Sequence, residues 1–177
     1  MSRVIDAILI TFATYFRDKE IRNRNFISTI LNVNVMAKEI KTVISIKASP
    51  EKIWAILTNF DKYPNWNPFI KELSGEVRAG NKIRVIIEPE GQKAMTFKPK
   101  VLSYVTNKEF TWKGHLLMPG IFDGEHHFEL MDNGDGSTTF LQKEKFKGVL
   151  AGLLNLENTE KGFKLMNEKL KELSEQK

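Results

Sequence analysis

The chain has 177 residues, of which 41% are hydrophobic and 28% charged, as is typical of a soluble globular protein of one domain. It contains no cysteine, which excludes disulfides, thiolate nucleophiles and Cys-ligated metals. This composition fits a reducing compartment, and we expect a cytoplasmic protein. The 27 Lys and Arg exceed the 22 Asp and Glu by five, but no long basic run occurs, so no nucleic-acid partner is predicted.

Residues 1–35 differ in pattern from the rest of the chain. The apolar stretch at residues 4–16 contains Asp6 and is shorter than the roughly 20 residues that span a bilayer, so no stable membrane insertion is predicted. The segment also lacks the pattern of a secretory signal or a mitochondrial presequence. Two interpretations stay open: a helix that docks on a surface, or a translation start placed too early, with Met36 as the true initiator. We therefore predict an extension at 1–35 and a folded domain at 36–177.

The folded domain begins with a strand and a short helix. Apolar and polar side chains alternate through residues 40–46, which predicts a half-buried strand. Ser49 and Pro50 have the residue types of a helix N-cap and first helical position. The segment 59–68 then ends the helix with two prolines. It contains Trp66, which we expect either at the rim of a pocket or packed on the last helix.

Short strands separated by turns are predicted next. Their connections have the length of hairpins, which favours an antiparallel meander over a parallel sheet. The predicted strands span residues 69–77, 82–88, 93–105 and 109–116, followed by a hairpin at 118–148.

The end of the chain has the periodicity of an amphipathic helix. Apolar residues three or four apart predict a helix over residues 151–175, about 37 Å long. Gly162 in its middle costs about 1 kcal/mol relative to Ala, which indicates either close backbone approach or a hinge. A long sheet twists and curls, and this helix is the only element that can cover its concave face. We therefore predict an α+β fold: a curled seven-stranded antiparallel sheet around a long C-terminal helix, with an internal cavity.

The predicted hairpin contains an apolar face that is interrupted by polar residues. Its connection, residues 133–136, has the Asn, Gly and Asp residues that tight turns require. If the loop is centred near Gly134, His126 lies opposite Gln142 and diagonal to Glu144. Three interpretations of the His126–Glu144 pair stay open: general acid and base, polar groups that orient a ligand, or a structural pair.

A metal site is not predicted. His126 and His127 are adjacent, so their side chains point to opposite faces of a strand. His115 faces outward if Trp112 faces inward, and a single His is too few for a His-rich zinc site. The sequence also lacks a G-x-G-x-x-G motif, a P-loop and a nucleophile elbow, and we expect no cofactor.

Residues 38–175 contain several short motifs whose order resembles that of the polyketide cyclase/dehydrase and lipid-transfer (START-like) superfamily. The motifs are Ser-Pro-Glu-Lys-Ile-Trp at 49–54, Tyr-Pro-Asn-Trp-Asn-Pro at 63–68, Gly-Glu-His-x-Phe-x-Leu at 124–130, Glu-x-Phe-x-Gly at 144–148 and Gly-Phe-x-x-Met-Asn at 162–167. The resemblance implies a helix-grip fold with a hydrophobic pocket between sheet and helix. It does not choose among cyclases, lipid carriers, sensing receptors and quinone-binding proteins, because one fold supports many functions.

From this resemblance we expect residues 36–177 to be a ligand-binding domain, a monomer or weak homodimer. It would bind a small hydrophobic or aromatic molecule (lipid, polyketide or quinone-like) as a carrier or sensor. The expected ligand contacts are Trp112, His126, Gln142, Glu144, Phe97, Phe128 and Trp66. One alternative is a cyclase or dehydratase in which His126 and Glu144 exchange protons with the substrate. Another is a protein-interaction module that uses the outer face of the sheet.

Overall fold

The computed structural model describes residues 36–91, 93–116, 119–149, 151 and 156–176. The predictions for residues 1–35 lie outside these ranges, and the division between extension and domain stays a prediction. The strands of the described part are β1 (Met36–Ile46), β2 (Ile70–Ser74), β3 (Arg84–Ile87), β4 (Met95–Phe97), β5 (Lys100–Val105), β6 (Glu109–Leu116), β7 (Phe122–Asp132) and β8 (Thr138–Gly148). Its α-helices are α1 (Pro50–Leu57), α2 (Tyr63–Trp66) and α3 (Glu157–Glu175), and a 3₁₀ turn covers Phe60–Lys62.

The strands form two antiparallel sheets. One has the order β1-β8-β7-β6-β5 and the other the order β2-β3-β4. The predicted single sheet of seven strands is therefore wrong in number and continuity, although the α+β class and the antiparallel pairing are confirmed. An isolated bridge pairs Lys82, which precedes β3, with Lys100, the first residue of β5.

Pro99 explains why the predicted strand at 93–105 is two strands. It lies between β4 and β5, and proline has no N–H to donate to a strand ladder. Its carbonyl oxygen instead accepts a hydrogen bond from the Ile83 backbone nitrogen at 3.0 Å. β4 then pairs with β3, whereas β5 pairs with β6, so the chain changes sheets at this residue.

The first helix begins as predicted. Ser49 is the N-cap of α1, with its hydroxyl accepting from the Lys52 backbone nitrogen at 3.4 Å, and Pro50 is the first helical residue. The connection that follows is anchored by Tyr63, whose buried hydroxyl donates to the Leu57 carbonyl oxygen at 2.6 Å. Burial raises the pKa of this hydroxyl.

The C-terminal helix covers the sheet with one apolar stripe. α3 begins at Glu157 rather than 151, with Leu156 at the N-cap position, and the predicted residues 152–155 lie outside the described ranges. Its 19 residues span about 28 Å. The residues buried by α3 are Gly162, Phe163, Met166, Asn167, Leu170 and Ser174.

Gly162 allows a close approach, as one of its two interpretations predicted. A Cβ atom added at this position would overlap the ring of Phe69, next to β2. The Phe69 ring in turn meets the Phe163 ring edge-on, with centroids 5.2 Å apart. Nearby, Lys161 forms an exposed ion pair with Glu90, so the start of α3 lies near the segment after β3.

None of the helices within the described residues is long and apolar enough to cross a membrane.

We predict that Gly162→Ala lowers the free energy of unfolding by about 1–3 kcal/mol, because the added methyl group overpacks the Phe69 contact. In an exposed helix the same change would stabilise by about 1 kcal/mol, so the sign of the effect is diagnostic. Urea denaturation measures the change. Glu168→Ala, at an exposed position of α3, is the control and should alter stability by less than about 0.5 kcal/mol. A stabilised Gly162→Ala variant would contradict the packing account.

Candidate functional site

The β7–β8 hairpin places His126 directly opposite Glu144, and Phe128 opposite Gln142. The predicted register, with His126 opposite Gln142, is therefore wrong by one residue in the loop centre. The reason is that the loop, residues 133–137, is centred on Asp135 rather than on Gly134. The Asp135 carboxylate stabilises this loop by accepting from the Ser137 backbone nitrogen at 3.0 Å.

The imidazole ring of His126 is buried among aromatic rings. It stacks on Trp112 with centroids 4.4 Å apart and planes 7° from parallel. Phe128 and Phe163 meet it edge-on, at 4.6 and 5.1 Å between centroids. The His126 side chain is only 2% exposed. These contacts from β6, β7 and α3 restrict the ring to one orientation.

The two ring nitrogens of His126 have different partners. Nδ1 lies 3.3 Å from Glu144 Oε2, and Nε2 lies 3.3 Å from Gln142 Nε2. An amide nitrogen can only donate, so His126 Nε2 accepts this hydrogen bond and holds no proton. The ring proton is therefore on Nδ1, which donates to the Glu144 carboxylate. The three side chains form a hydrogen-bonded series, Gln142 to His126 to Glu144, which we call the polar chain.

A second polar contact joins α3 to the sheet. The Thr42 hydroxyl donates to the Gln142 backbone carbonyl oxygen at 3.3 Å and accepts from Asn167 Nδ2 at 2.9 Å. Gln142 Nε2 also lies 3.7 Å from Met166 Sδ. Within the described residues, three buried side-chain atoms have no hydrogen-bond partner: Gln142 Oε1 and Asn167 Oδ1 in this cluster, and Asn67 Nδ2 at the end of α2. Two carbonyl oxygens thus remain as free acceptors between the sheet and α3.

The inner face of the sheet is less buried toward one end. His126 and Phe128 of β7 are buried, but Gly124 and Phe122, further toward the start of the strand, are only half-buried. The side chain of Glu144 is 14% exposed, between these two regions. A Cβ atom at Gly124 would lie 2.9 Å from Glu144 Oε1, so the glycine leaves the room that the carboxylate occupies.

The structure brings most of the predicted site residues together. Trp112, His126, Gln142, Glu144 and Phe128 lie in one cluster on the inner face of β6, β7 and β8. The other two predicted contacts lie elsewhere. Phe97 is a half-buried residue of β4 in the second sheet, paired with Val85. Trp66 is a half-buried residue of α2 that packs edge-on against Tyr63, at 5.2 Å between centroids.

Two polar residues of the cluster were not predicted as site residues. Thr42 and Asn167 are buried, and each interrupts an apolar stripe, on β1 and α3 respectively. A polar residue within an apolar face is the same signal that identified His126 and Gln142 in the sequence. The predicted internal cavity stays a prediction.

The outer face of the same strands has a separate polar group. His127 points there, as predicted, with Nδ1 2.6 Å from the Thr111 hydroxyl and Nε2 3.1 Å from Glu129 Oε2. His115 is exposed, which agrees with the prediction that its side chain faces outward. Among the described residues, no three His, Cys, Asp or Glu side chains are grouped as a metal site would need.

Residues 37–175 match the model of the family described as polyketide cyclase/dehydrase and lipid transport. The chain therefore belongs to this family. A search of curated proteins found no match.

Solved structures with the same fold have low sequence identity to this chain. The protein CV1439 from Chromobacterium violaceum aligns with a TM-score of 0.64 and 15% identity, over 78% of this chain and 98% of its own. The protein SA2116 of unknown function from Staphylococcus aureus aligns with a TM-score of 0.58 and 22% identity, over 81% of this chain and 97% of its own. Norcoclaurine synthase from Thalictrum flavum, in complex with dopamine and hydroxybenzaldehyde, aligns with a TM-score of 0.59 and 14% identity. The alignment covers 81% of this chain and 90% of the synthase chain. At these identities the likeness shows the helix-grip fold.

We predict that His126 and His127 have opposite tautomers. His126 donates from Nδ1 to Glu144, whereas His127 donates from Nε2 to Glu129 and accepts from Thr111 at Nδ1. Long-range ¹H–¹⁵N NMR spectra at pH 7 identify the protonated nitrogen of each ring, and His127 is an internal control. Protonation of His126 at Nε2, alone or together with Nδ1, would be incompatible with the polar chain.

Proposed function

We propose that this protein binds a small hydrophobic or aromatic molecule between the inner face of the five-stranded sheet and α3. The supporting observation is the polar chain itself, which lies among aromatic rings and ends in a buried acceptor without a partner. Leaving a buried polar atom unpaired costs about 1–3 kcal/mol, so native proteins rarely keep one without a use. A bound ligand gives both groups a role: the rings supply apolar contact, and the polar chain orients the ligand.

The ligand would enter at the less buried end of the inner face. Phe122 and Phe146 stack there with centroids 5.6 Å apart, and the partly exposed Glu144 lies beside Gly124. Trp112 and Phe128 are proposed as the aromatic walls further inside. Phe97 and Trp66, both half-buried, are proposed as additional apolar contacts.

Family membership supports a small ligand, because the family description includes both lipid transport and cyclase or dehydrase activity. Within that range we propose a cytoplasmic carrier or sensor that is a monomer or weak homodimer. Its ligand would be lipid, polyketide or quinone-like.

Native mass spectrometry of the purified protein tests this proposal. We expect a small molecule that stays bound under native conditions and is released on denaturation. Glu144→Gln should lower its occupancy by about three- to tenfold, because one charge-assisted hydrogen bond in the polar chain is replaced by a neutral one.

Glu129→Gln is the matched control, since Glu129 contacts His127 on the outer face in the same way as Glu144 contacts His126. It should leave occupancy unchanged. A wild-type protein without a bound molecule, or equal losses in both variants, would count against the proposed site.

A second candidate function is acid–base catalysis of the cyclase or dehydratase kind. The observation that favours it is the 3.3 Å contact between His126 Nδ1 and Glu144 Oε2. Since both His126 nitrogens already have partners, Glu144 is the group that would exchange a proton with a substrate, and His126 would position it.

The enzyme and the carrier can be separated with the molecule identified by mass spectrometry. An enzyme should convert this molecule on prolonged incubation, and Glu144→Gln should abolish the conversion while some binding remains. A molecule recovered unchanged from the wild-type protein would favour the carrier or sensor.

A further inference from the structure

We infer that the ligand of this site has a hydroxyl group, of an alcohol or a phenol, which donates a hydrogen bond to Gln142 Oε1. This inference rests on the proposed ligand-binding function and adds the chemical class of the ligand. It follows from the orientation of the two buried amides.

The orientation of the Gln142 amide depends on Glu144. His126 Nδ1 donates to the carboxylate, and the other ring nitrogen, Nε2, presents its lone pair to the amide nitrogen of Gln142 at 3.3 Å. Rotating the amide by 180° would place Oε1 against this lone pair, and two acceptors repel each other. The amide nitrogen therefore faces the ring, and Oε1 is the atom left without a partner.

The Asn167 amide is oriented in the same way by an independent contact. The proton of the Thr42 hydroxyl is donated to the Gln142 backbone carbonyl, so the hydroxyl oxygen is an acceptor for Asn167 Nδ2. Asn167 Oδ1 is then the free atom. Gln142 is 0% exposed and Asn167 3% exposed, so bulk water does not compete for either oxygen.

The two free atoms of this cluster, Gln142 Oε1 and Asn167 Oδ1, are thus acceptors. A carboxylate, phosphate, ether or ketone group has only acceptors to offer and would leave these oxygens unpaired. An ammonium group can donate, but moving its charge into this aromatic surrounding is costly. A neutral hydroxyl group satisfies the geometry at the lowest desolvation cost.

Three matched probes test the inference by isothermal titration calorimetry: 2-naphthol, 2-methoxynaphthalene and 2-naphthoate. They share one aromatic body and differ in the polar group. We expect 2-naphthol to bind about three- to tenfold more tightly than 2-methoxynaphthalene, as one net hydrogen bond would give, and 2-naphthoate to bind most weakly.

Two variants assign the preference to Gln142. Gln142→Met removes the amide at similar size and should make the affinities for 2-naphthol and 2-methoxynaphthalene equal. Glu144→Gln keeps Gln142 but lets the tautomer of His126 reverse, since an amide can donate or accept, so the preference should fall there too. If Gln142→Met fails to fold, the comparison of 2-naphthol with 2-methoxynaphthalene on the wild-type protein still decides whether a hydroxyl group is preferred.

The outcomes separate the two proposals. If none of the naphthalene probes binds and native mass spectrometry finds no bound molecule, the proposed function is overturned, and the inference with it. If a bound molecule is found that has no hydrogen-bond donor, only the hydroxyl inference is overturned. If 2-naphthol and 2-methoxynaphthalene bind the wild-type protein equally, only the hydroxyl inference is overturned. A preference that persists in Gln142→Met would show that the hydroxyl group is recognised elsewhere.

Discussion

The arrangement of the site depends on how little freedom His126 has. The ring is stacked on Trp112, closed in at its edges by Phe128 and Phe163, and bonded at both nitrogens. Because Nδ1 donates its hydrogen bond to Glu144, the other ring nitrogen accepts, and the Gln142 amide must turn its nitrogen toward the ring. The partly exposed carboxylate of Glu144 thus determines that Oε1 is the unpaired atom of the buried Gln142 amide. In a low-dielectric interior such a series of hydrogen bonds is stiff, because reversing one of them would bring two donors or two acceptors together.

The fold keeps this series in place with features that are remote in sequence. Pro99 transfers the chain from one sheet to the other, so the five-stranded sheet ends at β5. Gly124 makes room for the Glu144 carboxylate. Gly162 lets α3 approach Phe69 closely, which brings the Phe163 ring edge-on against the His126 ring. Each of these residues is unusual within a strand or helix, and each helps to fix where a strand, a side chain or a helix of the site lies.

Much of this arrangement could be predicted from the sequence. Alternation and helical periodicity identified the antiparallel strands, the C-terminal helix and the inward faces of His126, Gln142 and Glu144, because these patterns depend on local geometry. Pairing partners could not be predicted as well. Loops centred on Gly134 and on Asp135 look alike in a Gly- and Asp-rich turn, and this one-residue shift of the centre moved Glu144 from diagonal to opposite His126. The contact from Asn167 to Thr42 spans 125 residues, which no local pattern encodes.

The central claim is that a ligand binds inside the sheet–helix interface, against the polar chain. Intermolecular nuclear Overhauser effects from bound 2-naphthol to the methionine methyl groups test it most directly. Met166 is buried on α3 beside Gln142, whereas Met131 is 40% exposed on β7, so the two report on the interior and the surface of the same protein. The account predicts Overhauser effects to the Met166 methyl group and none to that of Met131. Effects to Met131 alone would contradict it.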